Sequence, residues 1–268
     1  MRLGLNRGRR RDLLRGGVLL SFGAGLGVVG FAEAADVADR KLPLRGGPAS
    51  GLATGGASQL GTGRVEVNWF GRTERKLVAL TFDDGPRPNW TPQVLDILRQ
   101  HEVPATFFMV GERARQHADL VRDRLAGHEV GNHSWDHHDL ARMAFDEAYQ
   151  DLERTHQELV AVTGQHPRLL RPPYGHLAGS TVAAAARLGY QVVLWSQQMR
   201  EAEFPGDPAG HARRISAEVQ PGTILLAHDV GDRRRLVAIR GLPELIDRLR
   251  GRGYQFVTVS ALLAVRQP

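Results

Sequence analysis

The chain contains no cysteine. Disulfides and thiolate metal sites are therefore excluded, and a bound metal must take nitrogen and oxygen ligands. Long apolar runs are missing too. The most apolar stretch, residues 16–31, is too short and too rich in glycine to read as a membrane span. Surplus charge is also scarce once it is located. The formal net charge is +6, but residues 1–34 hold six arginines against Asp12 and Glu33, so they carry +4 and the remainder +2. A domain near +2 gives no electrostatic reason to expect a nucleic-acid partner, and Arg233-Arg234-Arg235 reads as solvated surface. What remains is ordinary: 268 residues, 42% hydrophobic and 24% charged, enough for one soluble domain with a sizeable core plus appendages.

The first 34 residues have three parts: an Arg-rich start, the Gly-rich apolar run, then Ala32-Glu33-Ala34, a small-x-small cleavage site. This is the layout of an export signal. Arg10-Arg11-Asp12-Leu13-Leu14-Arg15 resembles the twin-arginine type. The expectation is export to the periplasm, cell envelope or exterior, with membrane contact only if the signal stays uncleaved. Residues 35–73, rich in Gly, Ala and Ser, read as a flexible linker, with a short ordered strand in 65–70. Residues 74–268 form the expected catalytic domain.

In that domain, apolar strands alternate with amphipathic helices. The expected strands are 77–82, 105–110, 129–132, 169–171, 191–195, 223–227 and 256–259. The expected helices are 91–101, 114–126, 145–162, 180–188, 209–219 and 242–251. This α/β pattern predicts a parallel sheet closed as a distorted (β/α)7-type barrel. Every polar cluster of interest falls at or after the C-terminal end of a strand, where βα architectures build sites.

Thr81-Phe82-Asp83-Asp84-Gly85-Pro86 places two carboxylates where strand alternation breaks into a turn. Carboxylates this close repel unless a cation or proton is shared; a capped turn is the alternative. His133-Ser134-Trp135-Asp136-His137 places two imidazoles at i and i+4, which share one face on a helical turn and can share a metal. Asp136 is a candidate acceptor for an imidazole N–H. Arg171-Pro172-Pro173-Tyr174 ends a strand in a stiff loop; Arg171 can grip a carboxylate bidentately, and Tyr174 offers the first N–H after the prolines. Leu225-Leu226-Ala227-His228-Asp229 sets His228 at a strand end beside a carboxylate that could tune it. Taken singly, a stiff surface loop and a core histidine are the plainer readings of the last two.

In this order the segments resemble the polysaccharide deacetylase family, carbohydrate esterase family four, over residues 76–264. The resemblance implies Asp83 as catalytic base and Asp84, His133 and His137 as ligands of a divalent metal. It also implies Arg171 positioning the base, the Tyr174 amide as oxyanion donor and His228 as general acid. A fourth family motif departs: Trp195-Ser196-Gln197-Gln198-Met199-Arg200-Glu201-Ala202-Glu203-Phe204 has no Asp. Glu201 falls nearest the missing Asp, so Glu201 or Glu203 is expected to hold Arg171. The implied activity is hydrolytic removal of N-acetyl groups from an N-acetylglucosamine-containing glycan, whether peptidoglycan, a chitin-like chain or an exopolysaccharide. An O-acetyl esterase on acetylated xylan and a catalytically impaired carbohydrate-binding homologue are the alternatives. Zinc is the expected metal, with cobalt, nickel or manganese also compatible. The expected partner is an acetylated glycan, the expected state a monomer. Trp135, Tyr174 and Trp195 could stack on sugars, although packing is the favoured role of Trp195.

Overall fold

The computed structural model describes residues 64–231 and 235–265. The export signal, the linker as far as residue 63, and Arg233 and Arg234 lie outside them. Among the described residues no helix is long and apolar enough to cross a membrane.

The fold grows from β2 (Leu77–Asp83), all seven residues of which are buried. A strand covered on both faces needs apolar side chains on both, and Leu77 through Phe82 meets that need except at Thr81. On one side β2 pairs in parallel with β3 (Thr106–Met109), on the other with β8 (Thr223–His228). The sheet path runs β1 (Val67–Asn68), β6 (Gln191–Val193), β5 (Leu169–Leu170), β4 (Glu129–Asn132), β3, β2, β8, β7 (Gln197–Gln198). β9 (Gln255–Phe256) adds to β2 off that path. All these pairings are parallel, and β1 and β7 end the path without pairing to each other. The result is an incompletely closed parallel barrel wrapped by helices, the distorted barrel expected.

Each helix buries one stripe. α1 (Thr91–Gln100) buries Val94, Leu95 and Leu98, and Pro92 occupies its first turn, where no N–H is needed. α3 (Phe145–Thr163) buries Phe145, Ala148, Leu152, Thr155, Leu159 and Val162, a 3.6-residue repeat. Glu147 accepts the Ala144 N–H at its start, and Gly164 ends it at φ 71°. α4 (Gly179–Leu188), α5 (Pro208–Glu218), α6 (Leu236–Gly251) and α7 (Val259–Leu263) complete the shell.

Three expectations shift. The helix expected at 114–126 is instead α2 (Gly111–Gln116) followed by a 3-10 turn, Ala118–Leu120. Val121 and Leu125 are buried at a helical spacing while the chain between them runs through turns, so their period mimics a helix. The helix expected from 242 begins a turn and a half earlier, because Val237, Ala238 and Ile239 are buried and the helix continues through Pro243. β7 lacks any apolar signal: two glutamines hydrogen-bond along β8, and that partner dictates the pairing. The short strand expected in 65–70 is present as β1, so order begins inside the segment read as linker.

Candidate active site

The site sits at the C-terminal ends of β2, β4, β5 and β8. Asp83 is the last residue of β2, level with Phe108 of β3 and His228 of β8. Asp84 would point to the opposite face if the strand continued. Its φ of 77° breaks the alternation, so both carboxylates join one site. Gly85 then passes so close to the Asp229 carboxylate that a Cβ there would collide with it.

His133 and His137 are not on a helix, which corrects the helical reason for pairing them. They lie in the loop after β4, where Ser134 and His137 take φ of 66° and 68°. Those two left-handed residues fold the loop back and bring the rings to 5.1 Å between centroids. The loop is tied down at nearly every residue. His133 N–H donates to the Met109 carbonyl, Ser134 N–H to Asn132 Oδ1, and His137 N–H to Ser134 Oγ. The first amides of α2, on Gly111 and Glu112, donate to the carbonyls of Ser134 and Trp135. Trp135 N–H donates to Asp151, whose carboxyl burial pushes up to about 6.

Asp84, His133 and His137 each present a ligand atom, all within 4.8 Å of one another. Asp84 Oδ1 lies 3.0 Å from His137 Nε2 and 3.4 Å from His133 Nε2. It is buried and accepts no aligned hydrogen bond among the described residues. A buried carboxylate oxygen left in that state costs several kcal/mol in general, roughly the desolvation of a charged group. A divalent cation is the chemical species that two imidazole nitrogens and that oxygen fit. The His133 tautomer is set for it: Nδ1–H donates to the Arg171 carbonyl at 2.6 Å, which leaves Nε2 as the lone-pair nitrogen. Burial acts to raise the Asp84 pKa, but the two neighbouring imidazoles outweigh it and hold the carboxyl well below its usual range. Burial lowers His133, yet the charges of Asp83 and Asp84 win and raise it. Protons and a cation therefore compete for the same imidazole.

Arg171 is fully buried. Its Nη1 donates to Asp83 Oδ1 at 2.6 Å and to Thr81 Oγ1 at 2.7 Å, its Nε to the Val193 carbonyl and its Nη2 to the Leu194 carbonyl. The grip on Asp83 is thus through one nitrogen, not the expected bidentate fork. That leaves Asp83 Oδ2 turned toward His133 Nε2, 3.8 Å away. No carboxylate from the 195–204 segment reaches Arg171; strand-end carbonyls fill that place, which corrects the expected Glu201 or Glu203 pairing. Glu201 instead faces His228, Oε1 to Nδ1 3.8 Å, both atoms buried and without a hydrogen bond among the described residues. Burial raises Glu201, but His228 and Arg235 prevail and hold it below its usual range. Asp229, expected to tune its neighbour His228, points away and accepts from Thr91 Oγ1 at 2.6 Å. Burial pushes Asp229 up to about 7. Asp136 pairs with His138 at 2.8 Å, not with either imidazole of the cluster.

Tyr174 has φ 61° and is 59% exposed, its ring edge-on to His137 at 4.8 Å. Its neighbours' amides are spent, Gly175 N–H on the Pro172 carbonyl and His176 N–H on that of Pro173. Trp135 is buried, with the Arg154 guanidinium 3.5 Å from its ring, and Trp195 is half-buried, packed against a core cluster and beside Gly175 of the Tyr174 turn. Trp135 is thus a packing residue, Trp195 packs as favoured while staying partly exposed, and Tyr174 is the most exposed of the three. Residues the sequence did not single out include Thr81, Asn132, Ser134, Arg113 and Arg235. Thr81 and Ser134 lie inside the motifs and were legible in principle. Arg113, on α2, left no local signal, while Arg235, read with its neighbours as solvated surface, is instead half-buried and reaches Asp84 Oδ2 at 3.4 Å, which corrects that reading for this residue.

A carboxylate and two imidazoles gathered at the C-terminal mouth of a parallel barrel, with a second aspartate alongside, define a metal-dependent hydrolase of the βα class. The family model described as polysaccharide deacetylase matches residues 70–193. The chain is 39% identical over 201 residues to a peptidoglycan-N-acetylglucosamine deacetylase of Bacillus cereus, covering 74% of this chain and 92% of that one. It is 37% identical over 203 residues to a chitooligosaccharide deacetylase of a Bradyrhizobium species, covering 71% and 92%. The crystal structure of the Bc1960 peptidoglycan N-acetylglucosamine deacetylase superposes with a TM-score of 0.69 at 30% identity, covering 75% of this chain and 94% of that one. The chain belongs to the polysaccharide deacetylase family, carbohydrate esterase family four.

Proposed function

We propose that this chain is an exported deacetylase that removes N-acetyl groups from an N-acetylglucosamine-containing glycan with the help of a divalent ion. The observation that carries the reading is the Asp84, His133 and His137 cluster with its orphaned buried oxygen. Zinc suits that mixed nitrogen and oxygen set best; cobalt, nickel and manganese are compatible. The N-terminal Arg-rich, apolar and Ala32-Glu33-Ala34 segments support export.

When bound, the ion supplies Lewis acidity and lowers the pKa of water at the site. Asp83 Oδ2, held by Arg171 through Oδ1, takes the proton as water attacks the acetyl carbonyl. The Tyr174 N–H, projecting from the stiff Pro172-Pro173 turn, donates to the oxyanion; one such donor is typically worth about 3 kcal/mol. His228, level with Asp83 across the β2–β8 pair, returns a proton to the departing amine. Glu201 stabilises the imidazolium form of His228 that gives up that proton.

Acetate release from N-acetylchitooligosaccharides, peptidoglycan and acetylated xylan, with chelator and with added zinc, tests the reading. Zinc-dependent acetate from the N-acetylated glycans is the expected result. Acetate from xylan alone would replace it with an O-acetyl esterase, and glycan binding without acetate would replace it with an impaired homologue.

A further inference from the structure

Asp84 is held at three points, and only one of them faces the imidazoles. Its buried Oδ1 lies between His137 Nε2 and His133 Nε2, at 3.0 and 3.4 Å. Its backbone carbonyl accepts from Arg113 Nη1 at 2.6 Å, which fixes the residue in its left-handed conformation at φ 77°. Its other carboxylate oxygen, Oδ2, accepts from Arg235 Nη1 at 3.4 Å, and the same nitrogen donates to the Val230 carbonyl at 3.2 Å. The backbone leaving β8 makes room for that guanidinium. Gly231 sits at φ 135°, and a Cβ there would lie 2.5 Å from Arg235 Cδ and 3.3 Å from Nη1. A carboxylate can bind a divalent ion through one oxygen or through both. Binding through both fills a position that a catalytic ion keeps open for water and the acyl oxygen. A guanidinium on Oδ2 decides between the two modes, because it occupies the second oxygen. It also sets a positive charge behind the carboxylate, where it opposes an incoming cation.

We propose that Arg235 is a positioning residue that keeps Asp84 a one-oxygen ligand, reserving Oδ1 for the ion and leaving the reacting positions free. The inference rests on the metal-dependent deacetylase reading and deepens it. It also carries an unusual sign: Arg235 weakens the hold on the ion while it supports turnover. A rival route runs through Glu201. Burial raises that carboxyl and His228 lowers it, and the Arg235 charge adds to the lowering. The two routes part on the leaving group. An effect through Glu201 and His228 falls on an amide and spares an ester, whereas a filled position at the ion slows both.

The test compares the full chain, wild type and Arg235→Ala, after stripping with chelator. Zinc affinity is read by competition with a chromophoric chelator. Coordination is read from the visible absorption of the cobalt-loaded protein, and kcat of the zinc-loaded protein from a matched N-acetyl and O-acetyl sugar pair. Arg235→Ala is expected to bind zinc about fivefold more tightly, since a competing charge is gone and a second oxygen is freed. Its cobalt form absorbs more weakly, because an added ligand raises the coordination number. Its kcat falls about tenfold on amide and ester alike. Deleting a residue that merely supports a ligand instead weakens binding, by about 10- to 100-fold. Unchanged or weaker zinc binding in Arg235→Ala, or an unchanged cobalt spectrum, overturns the inference and leaves the deacetylase reading intact. A loss confined to the amide overturns it in favour of the Glu201 route. A wild type that binds no zinc overturns both the inference and the metal-dependent reading.

Discussion

The two halves of the site are built differently. On the β2–β4–β5 side every acting group is pinned. Arg171 makes four hydrogen bonds, two of them to strand-end carbonyls, and the histidine loop is tied by backbone amides to β3 and α2. On the β8 side, His228 Nδ1 and Glu201 Oε1 face each other at 3.8 Å, with no hydrogen bond to either among the described residues. The difference matches the chemistry. Ligands and a base must hold fixed positions before substrate arrives, because misplacement is costly. A proton donor can tighten its contact when the leaving amine arrives.

The contrast can be broken at four points. Replacing Asp83 by Asn keeps the cluster of Asp84, His133 and His137 but removes the base, so acetate release falls about 10³-fold with zinc content unchanged; both are read by acetate assay and metal analysis. Replacing His228 by Ala costs about 10²-fold on an N-acetyl sugar and far less on an O-acetyl ester, since an amide needs its leaving nitrogen protonated. A matched amide and ester pair reads that split. Glu201→Gln, which keeps shape and removes charge, lowers amide turnover about tenfold and changes the matched ester far less, read on the same substrate pair. The smallest effect concerns the rigid loop. Asp151 has its folded pKa raised to about 6 against an ordinary 3.8. Its folded form therefore holds more protons than the unfolded chain between those values, and it contributes stability at low pH that is lost as pH rises through about 6. Asp151→Asn should flatten that part of the stability–pH curve in urea melts.

The same contrast governs what could be read from the sequence. Asp83, Asp84, His133, His137 and Arg171 sit in short contiguous strings at strand ends, although the groups that hold them come from other strands, as the Val193 and Leu194 carbonyls do for Arg171. The strings named the residues but not the reason they meet. The imidazoles are joined by left-handed backbone at Ser134 and His137, and nothing in a residue alphabet displays a positive φ in a serine or histidine. Partnerships across the barrel were less legible still. Glu201 and Asp229 are each adjacent to plausible partners, yet the fold turns Glu201 to His228 and Asp229 to Thr91. Most of the strands and helices followed from apolar periodicity. The exceptions, β7 and the 121–127 turns, are places where a neighbour's edge or a coincidental spacing outweighs local pattern.

The central claim is one divalent ion held by Asp84, His133 and His137. The most direct measurement is metal content together with acetate release on wild type and Asp84→Ala, each stripped with chelator and then given one equivalent of zinc. The account predicts that stripped wild type is inactive, binds one zinc and recovers, whereas Asp84→Ala neither retains zinc nor recovers. Full acetate release by the stripped wild type, or unimpaired zinc binding and turnover in Asp84→Ala, would contradict it.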